Sequence, residues 1–271
     1  MHILCTNDDG VHAPGLLAQV QVFQKLGQVT VLAPDRNWSA TGHVKTLNRP
    51  LRVKHVLLAD DTPALASDGA PSDCVALALL GLVPEPVDLV VSGINPHANV
   101  GHDVTYSGTV TAAMEAVIAG VPAIAVSLDG PPEGRKADYT AAAQVARLVA
   151  ELVLKNGLPP GILLNINVPD LPFEQLSGYR ITRQGLRIYR DRLVVRDDPR
   201  GSPYYWIGGD TPTGLPEAGT DFGALAGGFV SITPLHLDMT AHHLEEALVH
   251  WNWPAAGAEA RPASENDAPC P

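Results

Sequence analysis

The sequence predicts an α/β protein built on a mostly parallel sheet, and three observations lead there. Short apolar runs that end in turn residues alternate with longer segments of helical periodicity. The chain has 271 residues, 45% hydrophobic and 17% charged, enough to bury a large core without disulfides or a structural metal. Its 25 glycines and 24 prolines are spread over many joints instead of one tract, as numerous short elements require.

His2 to Thr6 reads as a short buried strand, Asn7-Asp8-Asp9-Gly10 as a turn, and Leu16 to Leu26 as a helix closed by Gly27. Val29 to Ala33 is the next strand. Pro71 to Leu82 carries a helical pattern, Val87 to Val91 is a strand ending at Ser92-Gly93, and Thr109 to Ala119 is a further helix. Ala123 to Ser127 and Ile162 to Ile166 are strands on either side of a helix from Ala137 to Leu154. The recurring order predicts a Rossmann-like core over residues 1–177, with helices on both faces of the sheet.

After Gly178 the texture changes. Tyr179-Arg180-Ile181-Thr182 and Arg192-Leu193-Val194-Val195-Arg196 read as strands of a C-terminal β-hairpin extension over 178–253. A returning strand from Phe229 to Thr233 and a helix from Ala241 to Trp251 complete it. Residues 254–271, rich in Ala and Pro without apolar periodicity, are expected to form a disordered tail.

Charge and cysteine usage narrow the partners. Eighteen basic against 29 acidic residues give a net charge of −11, which opposes a nucleic-acid polymer or an anionic membrane as the main partner. The longest apolar stretch, Cys74 to Val83, falls well short of the roughly 20 residues a membrane helix needs. The N-terminal apolar run breaks at Thr6, too early for a signal-peptide core. Cys5, Cys74 and Cys270 form neither a C-x-x-C nor an even set, so no disulfide framework or thiolate zinc site is indicated, and a cytoplasmic protein is expected.

Ligands of open α/β sheets bind beyond the carboxyl ends of the strands, near the point where strand order reverses. Three polar clusters fall at such ends: Asn7 to Gly10, Asp35 to Gly42, and Ser92 to Thr109. Asp8 and Asp9 are adjacent carboxylates that repel unless a cation neutralises them, which suggests a hard divalent metal; a plain turn fits N-D-D-G equally well. Ser39, Asn95 and Asn99 can add neutral oxygen donors, a set suited to Mg²⁺ or Mn²⁺. Tyr106-Ser107-Gly108-Thr109 leads straight into a helix, where backbone N–H groups and hydroxyls can grip an anion, although taken alone the segment is better explained by a simple helix cap at Ser107 or Thr109. Signatures of P-loop NTPases, G-x-S-x-G hydrolases and G-x-G-x-x-G dinucleotide enzymes are absent. Of His12, His43, His97 and His102, only His43 and His102 are kept as candidate acid catalysts.

Asn7-Asp8-Asp9-Gly10, Ala33-Pro34-Asp35 with Ser39, Gly69 to Val75, Ser92-Gly93-Ile94-Asn95 and Tyr106-Ser107-Gly108-Thr109 follow one another in an order that resembles the stationary-phase survival protein family, SurE. Arg183-Gln184-Gly185, Tyr204-Tyr205-Trp206 and Gly208-Gly209-Asp210 resemble its C-terminal part. The resemblance implies a divalent-metal-dependent phosphomonoesterase acting on nucleoside monophosphates at the 5′ and, in some members, the 3′ position, with polyphosphate a substrate of others. It places Asp8, Asp9, Ser39 and Asn95 as ligands of one Mg²⁺ or Mn²⁺ per subunit, with Asp8 and Asp9 also catalytic, and Asn99, Ser107, Gly108 and Thr109 on the substrate phosphate. His97 stands where the family pattern carries glycine, so a different loop conformation is expected there. The resemblance also implies a homodimer or homotetramer. Seven arginines between Arg180 and Arg200, interleaved with aromatics, suit an interface of that kind. A polyphosphate-specific exophosphatase and a non-catalytic nucleotide-sensing module are the two alternatives.

Overall fold

A computed structural model describes residues 1–131 and 134–254, so the expected tail lies outside the described residues except for Pro254. The chain divides into two compact units, Met1–Leu237 and Asp238–Pro271. In the first unit the elements run β1 (His2–Thr6), α1 (Pro14–Phe23), β2 (Gln28–Pro34), β3 (Val53–Leu57), β4 (Pro63–Ser67), α2 (Pro71–Leu77), β5 (Leu89–Asn95), α3 (Gly108–Ile118), β6 (Ala123–Asp129), α4 (Thr140–Asn156), β7 (Ile162–Pro169), β8 (Tyr179–Ile181), β9 (Arg187–Asp197), β10 (Pro203–Gly214), α5 (Asp221–Ala226) and β11 (Val230–His236). The second unit contains α6 (His242–Val249) and a stacked pair, Trp251 on Trp253, with ring centroids 5.7 Å apart.

Nine strands form one sheet in the order β3-β4-β2-β1-β5-β6-β7-β11-β8. Its centre, from β4 to β7, is parallel, and only β3 and β11 run against their neighbours β4 and β7. Alternate residues of each central strand feed two cores, which is why those strands read as unbroken apolar runs. Ile3, Cys5, Val91 and Val126 pack with residues of α1 and α4, whereas Leu4, Val90, Ala125 and Leu163 pack with residues of α2 and α3.

Strand order reverses between β1 and β5, paired from Ile3 with Leu89 to Thr6 with Ser92. The loops that follow these two strands therefore open on one crevice, the expected ligand position for this architecture.

Several details depart from the sequence expectations for reasons visible in the chain. Helix α1 begins at Pro14 and ends at Phe23, because proline is favoured in a first helical turn. Strands β3 and β4 have no counterpart in the sequence reading: β3 lies at the sheet edge and is half exposed, so its apolar signal is weak. The β-rich region splits. Tyr179–Ile181 joins the main sheet beside β11, while β9 and β10 form a separate long antiparallel ribbon from Arg187 to Gly214 instead of several short hairpins.

Candidate active site

Asp8, Asp9, Ser39, Asn95, Asn99 and Ser107 line one cavity of about 450 Å³ beyond the β1 and β5 strand ends. Asn7 braces the β1 turn, its amide nitrogen donating to the Gly10 carbonyl (3.0 Å) and its amide oxygen accepting from the Gly10 N–H (3.2 Å). That loop fastens to the one after β2, since the Trp38 N–H donates to the Asp8 carbonyl at 2.7 Å. The second loop presents Ser39 on a turn in which the Ser39 N–H donates to the Asn37 amide oxygen at 2.7 Å. Its next residue, Ala40, takes a left-handed conformation (φ 57°) that a side chain adopts only with strain.

Asp8 is buried against the start of α3. The Thr109 hydroxyl donates to its Oδ1 at 2.5 Å. Gly108 makes this approach feasible, because a Cβ there would lie 2.7 Å from the Asp8 Cβ. Gly108 and Thr109 thus stand behind Asp8 instead of lining the cavity, and the Thr109 hydroxyl is engaged by a carboxylate. Ser107 caps α3 by accepting the Val110 N–H (3.1 Å), which leaves its own hydroxyl proton for a ligand.

Asn99 is the most firmly held residue of the set. Its backbone N–H donates to Asn167 Oδ1 (2.8 Å), its Nδ2 donates to Ser127 Oγ (2.8 Å), and its carbonyl accepts from the Asn165 and Asn167 amides (2.8 and 3.1 Å). Asn95 donates to the His97 carbonyl at 2.5 Å. His97 itself lines the cavity, and the loop needs no left-handed residue there: among described non-glycine residues only Ala40 and Asp61 have positive φ. Histidine is therefore compatible with the backbone at that position.

The carboxylates carry the clearest electrostatic signal. Burial pushes the Asp8 pKa up against the pull of its Thr109 bond, and burial together with the Asp8 charge pushes Asp9 up to about 7. Among the described residues neither has an ion-pair partner. Two uncompensated carboxylates with a serine hydroxyl and a carboxamide facing one cavity fit a hard, oxygen-seeking divalent cation. No group of three or more His, Cys, Asp or Glu side chains that could hold a metal ion exists among the described residues, so a cation here would draw on the Ser39 hydroxyl and the Asn95 carboxamide beside the two carboxylates.

The far wall of the cavity comes from residues that sequence reasoning left out of the site. Asp103, Tyr106 and Arg187 line it, and Asn37, also left out, stands beside the carboxylates, its amide nitrogen donating to Asp9 Oδ1 at 3.5 Å. Arg187, at the root of the β9–β10 ribbon, places Nε 3.0 Å from an Asp103 carboxylate oxygen without aiming its N–H there, and Tyr189 donates to the other oxygen at 2.6 Å. The Gln184-Gly185 motif has a fastening role. Gln184 donates to the Gly101 carbonyl (2.8 Å), while the buried Asp221 carboxylate accepts the N–H groups of Gly101 (2.7 Å), Gly185 (2.8 Å) and Phe222 (2.8 Å). Asp73 likewise secures a loop, accepting from the Thr46 N–H (2.9 Å) and hydroxyl (2.6 Å). Neither His43 nor His102 lines the cavity; His43 pairs with Glu115 at 3.0 Å.

The family described as "Survival protein SurE" matches residues 3–191 of the chain. The curated "5'-nucleotidase SurE" of Herpetosiphon aurantiacus is 58% identical over 241 residues, covering 89% of this chain and 94% of that protein. Its counterpart in Chloroflexus aggregans is 51% identical over 253 residues, 93% of this chain and 100% of the relative. The crystal structure of the SurE protein from Aquifex aeolicus superposes with a TM-score of 0.78 at 38% identity, covering 92% of this chain and 98% of that one.

Proposed function

The chain belongs to the SurE family, and from that premise we propose that it is a 5′-nucleotidase that uses a divalent cation held by Asp8, Asp9, Ser39 and Asn95. The observation that carries the reading is the convergence of these four oxygen donors with the Ser107 end of α3 on one cavity. Mg²⁺ or Mn²⁺ bound there supplies Lewis-acid polarisation of a phosphoryl oxygen and the positive charge that a chain of net −11 otherwise lacks for a dianion.

The protein's own groups do the rest. Thr109 and the start of α3 hold Asp8 in place, while Asp9 lines the cavity with a single long hydrogen bond, from the Asn37 amide nitrogen at 3.5 Å, and is the carboxylate that accepts the proton of the attacking water. Ser107 donates to the phosphoryl group, and the positive end of α3 stabilises charge developing there. Asn99, fixed by Ser127, Asn165 and Asn167, orients the phosphate from the same β5–α3 connection that carries Ser107. Arg187 adds a cation on the leaving-group side.

In this reading the substrates are 5′-nucleoside monophosphates, with 3′ isomers as secondary ones, and the enzyme works in the cytoplasm. Two buried free thiols, Cys5 and Cys74, suit a reducing compartment, and among the described residues no helix is long and apolar enough to cross a membrane. The active form is a homodimer or homotetramer, supported by exposed Leu193, Tyr205 and Ile207 on the ribbon. Phosphate release from 5′-AMP, 3′-AMP and polyphosphate, each with Mg²⁺, Mn²⁺ or chelator, tests the proposal. Metal-dependent turnover of 5′-AMP is expected; turnover of polyphosphate alone, or tight AMP binding without hydrolysis, would overturn it.

A further inference from the structure

A second cavity of about 650 Å³ adjoins the first and shares His97, Ala98 and Arg187 with it. We propose that this cavity is the nucleoside subsite, in which Asp129 accepts the ribose hydroxyls and Phe222 lines the place of the base. The inference rests on the phosphate lying at the Asp8–Asp9 corner.

Contiguity is the first argument. A phosphate ester seated among Asp9, Asn95 and Ser107 has to extend its organic half somewhere, and the wall formed by His97, Ala98 and Arg187 is common to both spaces. Size is the second, since small-ligand sites occupy about 300 to 1,000 Å³. Composition is the third. Phe222, Pro212 and Leu225 supply apolar walls, and Asp129, Thr213 and Arg187 bring a few polar groups into them, the mixture by which a pocket fixes a flat base on a polyhydroxylated sugar.

Asp129 closes β6 at the carboxyl edge of the parallel sheet, and its side chain is exposed to the cavity. A carboxylate has two acceptor oxygens and no donor when ionised, which matches a vicinal diol with two O–H groups. Surrounding protein raises its pKa, while the charges of Arg187 and His97 oppose that rise and favour the ionised form. The Arg187 guanidinium sits 5.7 Å from the centre of the Phe222 ring, so cation and aromatic face form one wall.

The other neighbouring space is a poorer fit. A cavity of about 410 Å³ meets the corner at Asp9 and Pro96, and its Arg36 lies 3.3 Å from Asp35 much as Arg187 lies 3.0 Å from Asp103. Val11, Pro14 and Tyr139 give it an apolar face of its own, but it is the smaller space and shares only Asp9 and Pro96 with the corner, against His97, Ala98 and Arg187 for the larger one.

The test compares kcat/KM for 5′-AMP, 2′-deoxy-5′-AMP and p-nitrophenyl phosphate in Mn²⁺, using the wild-type chain, Asp129→Ala and Asp129→Asn. A charge-assisted hydrogen bond to the 2′-hydroxyl predicts that the wild type prefers AMP over its deoxy analogue by about tenfold. Asp129→Ala should bring that ratio to about one and lower the AMP to p-nitrophenyl phosphate ratio by the same factor, with Asp129→Asn intermediate. Ratios that stay at their wild-type values in Asp129→Ala, or a wild type that does not distinguish AMP from deoxy-AMP while hydrolysing p-nitrophenyl phosphate normally, would overturn the subsite alone. Failure of the wild type to hydrolyse p-nitrophenyl phosphate with any metal would overturn the phosphate corner and the subsite with it.

Discussion

At the Asp8–Asp9 corner the functional side chains other than Ser39 and Asn99 hang from a strand end or a helix start, whereas the ribbon side of the cavity is assembled by side-chain bonds between segments far apart in the chain. Asp8 and Asp9 follow β1, Asn95 ends β5 and Ser107 caps α3, so the sheet and its buried helix place them directly. Arg187, at the start of β9, meets Asp103 of the β5–α3 connection, Tyr189 reaches across 86 residues to the same carboxylate, and Asp221 holds Gly101 across 120. The difference teaches that the corner inherits its geometry from the fold, while the leaving-group side is adjustable and is where substrate preference can be altered without disturbing the chemistry.

Replacing a carboxylate at the corner should have the largest effect. Asp9→Asn removes a ligand charge while keeping the shape, so kcat should fall about 10²-fold or more with the melting temperature near that of the wild type. Steady-state assays in Mn²⁺ measure this, and wild-type turnover would erase the contrast between the two regions. On the ribbon side, Asp221→Asn replaces an acceptor of three backbone N–H groups by a carboxamide with one oxygen. It should cost about 2 kcal/mol, read from urea unfolding, because buried donors are left unpaired. An unchanged midpoint would show that the ribbon side is not held by this carboxylate.

Thr109→Val keeps the volume and removes the hydroxyl that braces Asp8. Mn²⁺ affinity should weaken about tenfold, and Thr109→Ser should restore most of it. Equal losses in both variants would make Thr109 a packing residue only. The smallest effect belongs to the Ser39 loop: Ala40→Gly relieves the left-handed strain at φ 57° and should stabilise the fold by up to about 1 kcal/mol, offset in part by the extra freedom of glycine in the unfolded chain.

The same contrast explains what could be read from the sequence. Asn7-Asp8-Asp9-Gly10 and Tyr106-Ser107-Gly108-Thr109 are contiguous, carry turn and cap chemistry, and sit beside the strongly apolar β1 and α3, so motif and element reinforce one another. Only the direction of the Thr109 hydroxyl escaped, because a capping pattern does not say which oxygen it will meet. Arg187 reads from sequence as one arginine among seven in a hairpin, and Asp129 falls just beyond the strand read as Ala123 to Ser127. Neither has a local signature, since each gains its place from a tertiary bond or a shared cavity wall. Strands β3 and β4 were missed for a related reason: β3 lies at the sheet edge, half exposed, and lacks the continuous apolar run of a central strand.

Isothermal titration of the metal-free protein with Mn²⁺ at several pH values tests the cation corner most directly. Asp9 is pushed up to about 7 by burial and by the Asp8 charge, so without a cation it holds a proton below that pH and must release it on binding. The raised value also means that the cation-free fold loses stability as pH climbs from about 4 through 7, and that the gain in melting temperature on adding Mn²⁺ grows over the same interval. One ion per chain is expected, with affinity about tenfold higher at pH 8 than at pH 6 and a proton released at the lower pH. Binding of equal strength at both pH values, or undiminished binding in Asp9→Asn, would contradict the assignment of this corner as the metal site.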